Sequence, residues 1–307
     1  MTRTLHPDLE AVAASVRAAG IVALPGADMA QTRHHVDRVN AFTGRDSVPL
    51  ADERPVEVVD VPAKLYWPDG VAEPALLFYA HGGGFRQGTL PGWDAPLRQI
   101  VRESGMAVLS IDYALAPEHQ FPIAFDQVVA VMRSVIADAA VDGRAVSGFA
   151  ASGDSAGANL ILGASLALRD AGIDALQHLM LLYGVYSKDV MRPSWSALGG
   201  FGLSADAMKA IWTGYLGADE DDWRVQPLHG DLRGLPPTRL VVGDLDPLLD
   251  ENIALSEKLA DAGVPAELIV LPGINHGVVR WNEVAPVVRD RVSDEARALA
   301  AMFSRAG

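Results

Sequence analysis

The chain has 307 residues, of which 50% are hydrophobic and 21% are charged, so it can bury a large core and is not expected to be disordered. Its formal net charge of -14 argues against electrostatic binding to nucleic acid or to an anionic membrane. Because the sequence contains no cysteine, disulfides, thiolate metal sites and a cysteine nucleophile are excluded.

The sequence also gives no sign of membrane insertion. No apolar run reaches the length of a spanning helix, and the first residues lack the apolar stretch of a signal peptide. We therefore expect a soluble cytoplasmic protein.

Helical and strand patterns alternate along most of the chain. Two helical patterns, at 7–20 and roughly 28–42, precede the first strand signals. The predicted strands are 56–61, 63–67, 75–80, 107–113, one entering Ser155, 179–183, 238–243 and 267–271. The later helices are predicted near 94–103, at 122–138, directly after Ser155, at 250–262 and at 284–303. This alternation predicts an α/β fold whose mostly parallel sheet carries helices on both faces, with an irregular helical insertion from Ser187 to about Pro227.

Polar residues follow four of the predicted strands, at the edge where open α/β sheets bind their ligands. They are His81 with three glycines, Ser155, Asp244 and Asp246, and Asn275 with His276. Serine, acid and histidine occur in the chain order of hydrolases built on such sheets. The interval from Ser155 to Asp246 can contain an inserted cap, and that from Asp246 to His276 spans one helix and one strand.

The serine lies in Gly153-Asp154-Ser155-Ala156-Gly157, a Gly-x-Ser-x-Gly pattern that predicts a sharp strand-to-helix turn. Alone the pattern equally fits a glycine-rich loop that caps a helix. With its partners it predicts a nucleophile, because imidazole can take the hydroxyl proton and a carboxylate can orient the imidazole. The backbone at 82–84 and the amide of Ala156 are expected to stabilise an oxyanion.

The sequence resembles the hormone-sensitive-lipase family of α/β hydrolases over nearly its whole length. The resemblance rests on five motifs: His81-Gly82-Gly83-Gly84-Phe85, the Gly153–Gly157 elbow, the stretch Asp112–His119, Asp246-Pro247-Leu248 and Asn275-His276-Gly277. It implies the α/β-hydrolase fold, with a helical cap formed by residues 1–45 and 187–226. A catalytic domain would then comprise residues 46–186 and 227–307.

The resemblance also implies a serine carboxylesterase for short- to medium-chain esters. Ser155 would be the nucleophile, His276 the general base and Asp246, rather than Asp244, its orienting acid. Gly83, Gly84 and Ala156 would be the oxyanion donors. A small-molecule ester would be the substrate, no metal or organic cofactor would be needed, and a homodimer is expected by family analogy.

Four positions depart from the family pattern: Trp93, Ala114, Ala158 and Val278 stand where histidine, arginine, glycine and an aromatic residue are common. None removes a reacting group, so they bear on the shape and hydrogen bonding of the pocket. His81 is predicted to hold the glycine loop, Glu118 to be a buried partner of backbone groups near the elbow, and Asp154 to have no catalytic role.

Two other functions stay open at this point. An acyltransferase or amidase would use the same three residues, and products formed with an added acceptor would identify it. A receptor-like binder of small molecules, as the related gibberellin receptors are, would lack the working histidine that this chain keeps at His276.

Overall fold

The computed structural model describes residues 4–24, 26–217 and 222–303. Within these ranges, strands alternate with helices from the third strand onward. In chain order the strands are β1 (Asp52–Val58), β2 (Val61–Trp67), β3 (Leu76–Ala80), β4 (Ala107–Ile111), β5 (Ala140–Val141), β6 (Arg144–Ala145), β7 (Phe149–Asp154), β8 (Leu176–Leu182), β9 (Thr238–Gly243) and β10 (Ala266–Leu271).

The helices of the described ranges form layers on both faces of the sheet. They are α1 (Pro7–Ala18), α2 (Met29–Thr43), α3 (Asp94–Ser104), α4 (Ile123–Asp138), α5 (Ala156–Asp170), α6 (Pro193–Leu198), α7 (Ala205–Leu216), α8 (Leu249–Asp261) and α9 (Pro286–Phe303). No helix in this part of the chain is both long and apolar enough to cross a bilayer.

The main sheet has the order β1-β2-β4-β3-β7-β8-β9-β10 among the described residues. The β1–β2 and β2–β4 pairs are antiparallel, and every pair from β4 to β10 is parallel. Strands β3 and β7 are buried along their whole length, as expected for central parallel strands with helices on both faces. The carboxyl ends of β3, β7, β9 and β10 therefore meet at one edge, and the fold is the predicted α/β-hydrolase fold.

The first two strands begin earlier in the chain than the sequence predicts. Strand β1 begins at Asp52 rather than Val56, and the hairpin turn lies at Val59 and Asp60, whose φ angles are 45° and 62°. The predicted strands 56–61 and 63–67 leave Pro62 between them. Pro62 instead lies inside β2 opposite Glu57, and its carbonyl accepts a hydrogen bond from the Asp112 amide.

The helical segments outside the alternating part pack onto the rest of the chain. Helix α1 buries Leu9, Val12 and Val16 in the same core cluster as α9. In α7, Tyr215 stacks on Phe85 of the glycine loop with 4.0 Å between the ring centroids. The division into a cap and a catalytic domain stays a prediction, and its residues 1–3, 25, 218–221 and 304–307 lie outside the described residues.

Candidate active site

Ser155 occupies the sharp turn between β7 and α5. Its φ of 54° and ψ of -117° are unusual for a residue with a side chain. The flanking glycines are required by space: a Cβ on Gly153 would lie 2.5 Å from the Gly157 carbonyl carbon, and one on Gly157 would lie 1.9 Å from the Ala80 oxygen. The Gly-x-Ser-x-Gly pattern therefore follows from the close crossing of α5 over β3 and β7.

Three predicted residues meet in one chain of hydrogen bonds. Ser155 Oγ lies 2.9 Å from His276 Nε2, and His276 Nδ1 lies 2.8 Å from Asp246 Oδ2. Because a carboxylate only accepts, Nδ1–H donates to Asp246 and Nε2 is left to accept the serine proton. Asp246 is fully buried, and its second oxygen accepts from the Leu248 amide at 2.9 Å.

The neighbouring Asp244 makes a different contact. Its Oδ1 accepts a hydrogen bond of 2.7 Å from the Gly273 amide, at the start of the loop that carries His276. Asp246, and not Asp244, therefore contacts the imidazole. This is the assignment that the family resemblance implied.

The glycine loop after β3 lies beside Ser155. Gly83 and Gly84 have φ angles of 118° and 62°, and a Cβ on Gly83 would lie 1.9 Å from the Gln87 carbonyl oxygen. Neither amide donates a hydrogen bond to the described part of the chain. Both glycines line the same cavity as Ser155. Ala156 is the first residue of α5, where helix amides have no intrahelical acceptor.

Asp154 has a role that the sequence analysis missed. Its side chain is 2% exposed, and Oδ1 accepts hydrogen bonds from the Gly82 amide, Trp93 Nε1 and the Tyr79 hydroxyl at 2.8, 2.8 and 2.9 Å. Burial and the Asp154 charge hold the pKa of Tyr79 well above its usual range, so the phenol remains a donor. Asp154 thus fixes the position of the glycine loop through the Gly82 amide. The signal available in the sequence was a carboxylate at the end of a strand that is otherwise small and apolar.

His81 lies under the same loop. It is fully buried, stacks on Tyr113 at 4.4 Å between centroids, and donates from Nδ1 to the Gly82 carbonyl at 2.7 Å. Burial lowers the pKa of His81, so the ring is neutral. These contacts match the predicted structural role.

Glu118 differs from its prediction. Its side chain is 53% exposed and forms an ion pair of 2.6 Å with Arg33 of α2. Arg33 also donates to the carbonyls of Arg86 and Ala116. The basic partner was missed because it comes from a helix far away in the sequence.

A cavity of about 120 Å³ opens above Ser155. Its apolar flank consists of Val185, Leu203, Met208 and Ile211, and its polar flank of Gln87, Trp93 and Arg280. Trp93, one of the departures from the family pattern, supplies the indole donor to Asp154, whereas Val278 is buried beside the histidine. Among the described residues, no group of three or more His, Asp or Glu side chains is arranged to hold a metal ion.

Comparisons with known proteins agree with this architecture. A model of the α/β-hydrolase-fold family matches residues 77–280. The chain is 34% identical over 254 residues to carboxylesterase NlhH of Mycobacterium tuberculosis, covering 80% of this chain and 78% of the relative. It is 32% identical over 256 residues to an acetyl esterase of Salmonella choleraesuis, covering 79% and 77%.

A similar solved structure extends the match to nearly the whole chain. A crystal structure of an esterase from the bacterial hormone-sensitive lipase family superposes with a TM-score of 0.85 at 27% identity, covering 98% of this chain and 99% of the other. On these findings, the chain belongs to the α/β-hydrolase family, in its hormone-sensitive-lipase-like group.

Proposed function

We propose that this chain is a serine carboxylesterase that hydrolyses short- to medium-chain carboxylic esters through an acyl-enzyme on Ser155. The observation that carries the proposal is the unbroken contact from Ser155 Oγ through His276 to the buried Asp246, at 2.9 and 2.8 Å. The similarity to a carboxylesterase and an acetyl esterase supports the choice of ester substrates.

Acylation begins when Ser155 Oγ attacks the ester carbonyl carbon and His276 Nε2 accepts the hydroxyl proton. The imidazolium that forms donates from Nδ1 to Asp246, which stabilises its charge. His276 then gives the proton to the leaving alcohol oxygen as the carbon–oxygen bond breaks. The product of this step is an ester between the acyl group and Ser155.

The tetrahedral intermediate carries a negative charge on the former carbonyl oxygen. In this proposal, the amides of Gly83 and Gly84, in the loop after β3, and of Ala156, at the start of α5, bind that oxygen. Since amides fixed before the reaction need no reorganisation, each can contribute about 3 kcal/mol of transition-state stabilisation.

Deacylation completes the reaction. Water, deprotonated by His276, attacks the acyl-enzyme and releases the acid.

The cavity supports a limited acyl length. Its volume of about 120 Å³ and its cover of Leu203, Met208 and Ile211 leave room for a small ester. Ile211 also contacts the glycine loop, since its Cδ1 would lie 3.0 Å from a Cβ on Gly84. We therefore assign short- to medium-chain acyl groups to the site.

Replacing Ser155 by alanine tests the proposal. Ser155→Ala should abolish hydrolysis of para-nitrophenyl butyrate and labelling by a fluorophosphonate, because the attacking oxygen is gone. The matched control is Ser165→Ala, on the same helix, which removes only a hydrogen bond of 2.7 Å to the Ile161 carbonyl. Persistent activity in Ser155→Ala, or a label on another residue, would contradict the assignment.

The same assay separates hydrolysis from acyl transfer. Wild-type enzyme is incubated with the ester, with and without an added alcohol or amine, and the products are resolved by chromatography. Free acid as the main product in both reactions is the expected result. A dominant transferred ester or amide would assign the site to a transferase instead.

A further inference from the structure

The two flanks of the catalytic cavity differ in chemistry. The apolar flank suits a hydrocarbon chain. The polar flank places a guanidinium, an amide and an indole, from Arg280, Gln87 and Trp93, in the same cavity as Ser155 and His276. Hydrolysis of a simple ester uses none of these three groups directly, so the polar flank needs its own explanation.

Arg280 is held in a fixed position at the cavity wall. Its Nη1 donates to the Asn40 side-chain oxygen at 2.6 Å, and its guanidinium carbon lies 4.9 Å from the centre of the Trp93 ring. One contact comes from helix α2 and the other from the segment before α3. A side chain fixed on two sides loses little conformational entropy when it binds a ligand.

The charge of Arg280 has no counter-ion in the described part of the chain. No carboxylate there lies within ion-pair distance of it, and its buried Nε has no acceptor in the same ranges. Arg98, by contrast, is paired with Glu53 and Asp94, and Arg239 with Glu295. Arg86 of the glycine loop resembles Arg280 in having no carboxylate within ion-pair distance among the described residues. A partly buried cation without an anion is costly unless a ligand supplies one.

Two neighbouring groups agree with an anionic ligand. The buried Oε1 of Gln87 has no donor among the described residues, and rotation of this amide would present its NH₂ group instead. The Asp154 carboxylate also lines the cavity, but its charge is already bound by donors from Gly82, Trp93 and Tyr79, with Tyr183 on its second oxygen. Asp154 therefore does not pair with Arg280.

We propose that Arg280, with Gln87, binds a carboxylate carried by the substrate, so that the preferred esters are those with a free carboxylate besides the ester group. This inference rests on the proposed esterase function. Arg280 Nη2 donates to the Gly277 carbonyl at 3.4 Å through one of its two hydrogens. Its other hydrogen and Nε–H form a fork that matches the two carboxylate oxygens. Arg280 also borders a groove formed with Val16, Val36 and Val39, so a bound carboxylate keeps some access to water.

The test measures selectivity for a carboxylate in two positions. The first pair of substrates is the para-nitrophenyl half-ester of adipic acid and para-nitrophenyl hexanoate, which differ in the acid part. The second pair is meta-carboxyphenyl butyrate and phenyl butyrate, which differ in the alcohol part. For each pair, the ratio of kcat/KM for the anionic ester to kcat/KM for the neutral ester is determined.

Arg280→Met should lower this ratio by about 10- to 100-fold in one pair, because methionine keeps the contact with Trp93 but loses the charged donors. Arg280→Lys should lower it less. The matched control is Arg45→Met, since Arg45 also lies over an aromatic ring, at 4.5 Å from the centre of Phe42, but outside the catalytic cavity. The control should keep the wild-type ratios.

A loss in the first pair places the carboxylate on the acid part, and a loss in the second pair places it on the alcohol part. Wild-type ratios in both pairs for Arg280→Met would overturn the proposal. If that variant does not fold by circular dichroism, Arg280→Lys and Gln87→Leu test the same ratios. Ser155-dependent hydrolysis of the neutral esters by wild type would keep the esterase function even where the inference fails.

Discussion

Two loops flank Ser155, and each is held by a buried aspartate, but the two carboxylates bind different partners. Asp246 accepts from an imidazole, whose charge changes during the proposed reaction. Asp154 accepts from the backbone amide of Gly82, from an indole and from a phenol. Asp246 is therefore needed for the proposed proton transfer by His276, and Asp154 for the position of the glycine loop. Mutations should separate these two roles.

The largest effect on kcat is expected from a change at Asp246, which binds His276. Asp246→Asn should lower kcat by about four orders of magnitude, because a neutral amide favours the wrong imidazole tautomer and leaves the imidazolium without its counter-charge. The measurement is steady-state hydrolysis of para-nitrophenyl butyrate, with circular dichroism to check the fold.

Asp244→Asn is the matched control for that change. The Asp244 side chain accepts from the Gly273 amide at 2.7 Å and not from the imidazole, so its replacement should lower kcat less than about 10-fold. An Asp244→Asn enzyme that is weaker than Asp246→Asn would reverse the assignment of the acid.

A smaller effect on kcat is expected from a change at Asp154, which binds the glycine loop. Asp154→Asn removes the charge that binds the Gly82 amide and the Trp93 indole, so Gly83 and Gly84 should lose their exact position. We expect kcat to fall about 10- to 100-fold with little change in KM, since a displacement of about 1 Å at a reacting centre has this cost. Binding of a phosphonate transition-state analogue should weaken in parallel.

The control for Asp154 is Asp170→Asn, at the exposed end of the helix that begins beside Ser155. It should keep wild-type kinetics. If Asp154→Asn also kept them, the loop would be held by its glycines and His81 alone, and the proposed role of Asp154 would be wrong.

The difference between the two carboxylates also explains what the sequence could predict. The alternation of apolar runs predicted the fold. Chemistry and chain order indicated Ser155, His276 and an acid at Asp244 or Asp246, and the family resemblance selected Asp246. Asp154 was predicted to have no catalytic role. Its contacts with the glycine loop could not be seen in the sequence, because its partners come from β3, the loop after β3 and the segment before α3. For the same reason the sequence did not indicate that Glu118 pairs with Arg33, which also donates to the carbonyls of Arg86 and Ala116.

The surroundings of Arg280 could not be predicted from the sequence either. It follows His276 by only one turn, yet nothing in the sequence indicates that its charge lacks a partner. That property depends on which carboxylates the fold brings near it. Only the folded structure therefore shows which polar side chains line a cavity, because they come from elements that are far apart in the chain.

A third carboxylate near the site, that of Glu251, is also buried. Glu251 of α8 is fully buried, and its Oε1 accepts from the Tyr186 amide at 2.7 Å, in the loop that places Val185 in the cavity. Burial raises the pKa of Glu251 from 4.5 to about 7, against the opposing hydrogen bonds from Ser187 and Tyr186. Burial thus favours the neutral form of Glu251, whereas the hydrogen bonds that it accepts favour the charged form.

Glu251→Gln gives the smallest of these effects, and its sign depends on pH. Between pH 4.5 and about 7 the folded state keeps a proton that the unfolded state has lost, so this group's contribution to stability is present below pH 4.5 and is lost as the pH rises to about 7. Glutamine keeps the acceptor without the charge. Relative to wild type, the variant should therefore gain unfolding free energy, on the order of 2 kcal/mol, between pH 5 and pH 8.

Urea denaturation at the two pH values measures this difference. Glu257→Gln, an exposed change on the same helix, should show no such gain. Equal pH dependence in wild type and Glu251→Gln would mean that Glu251 is ionised in the folded state at neutral pH. The hydrogen bonds from Tyr186 and Ser187 would then outweigh the cost of burying the Glu251 charge.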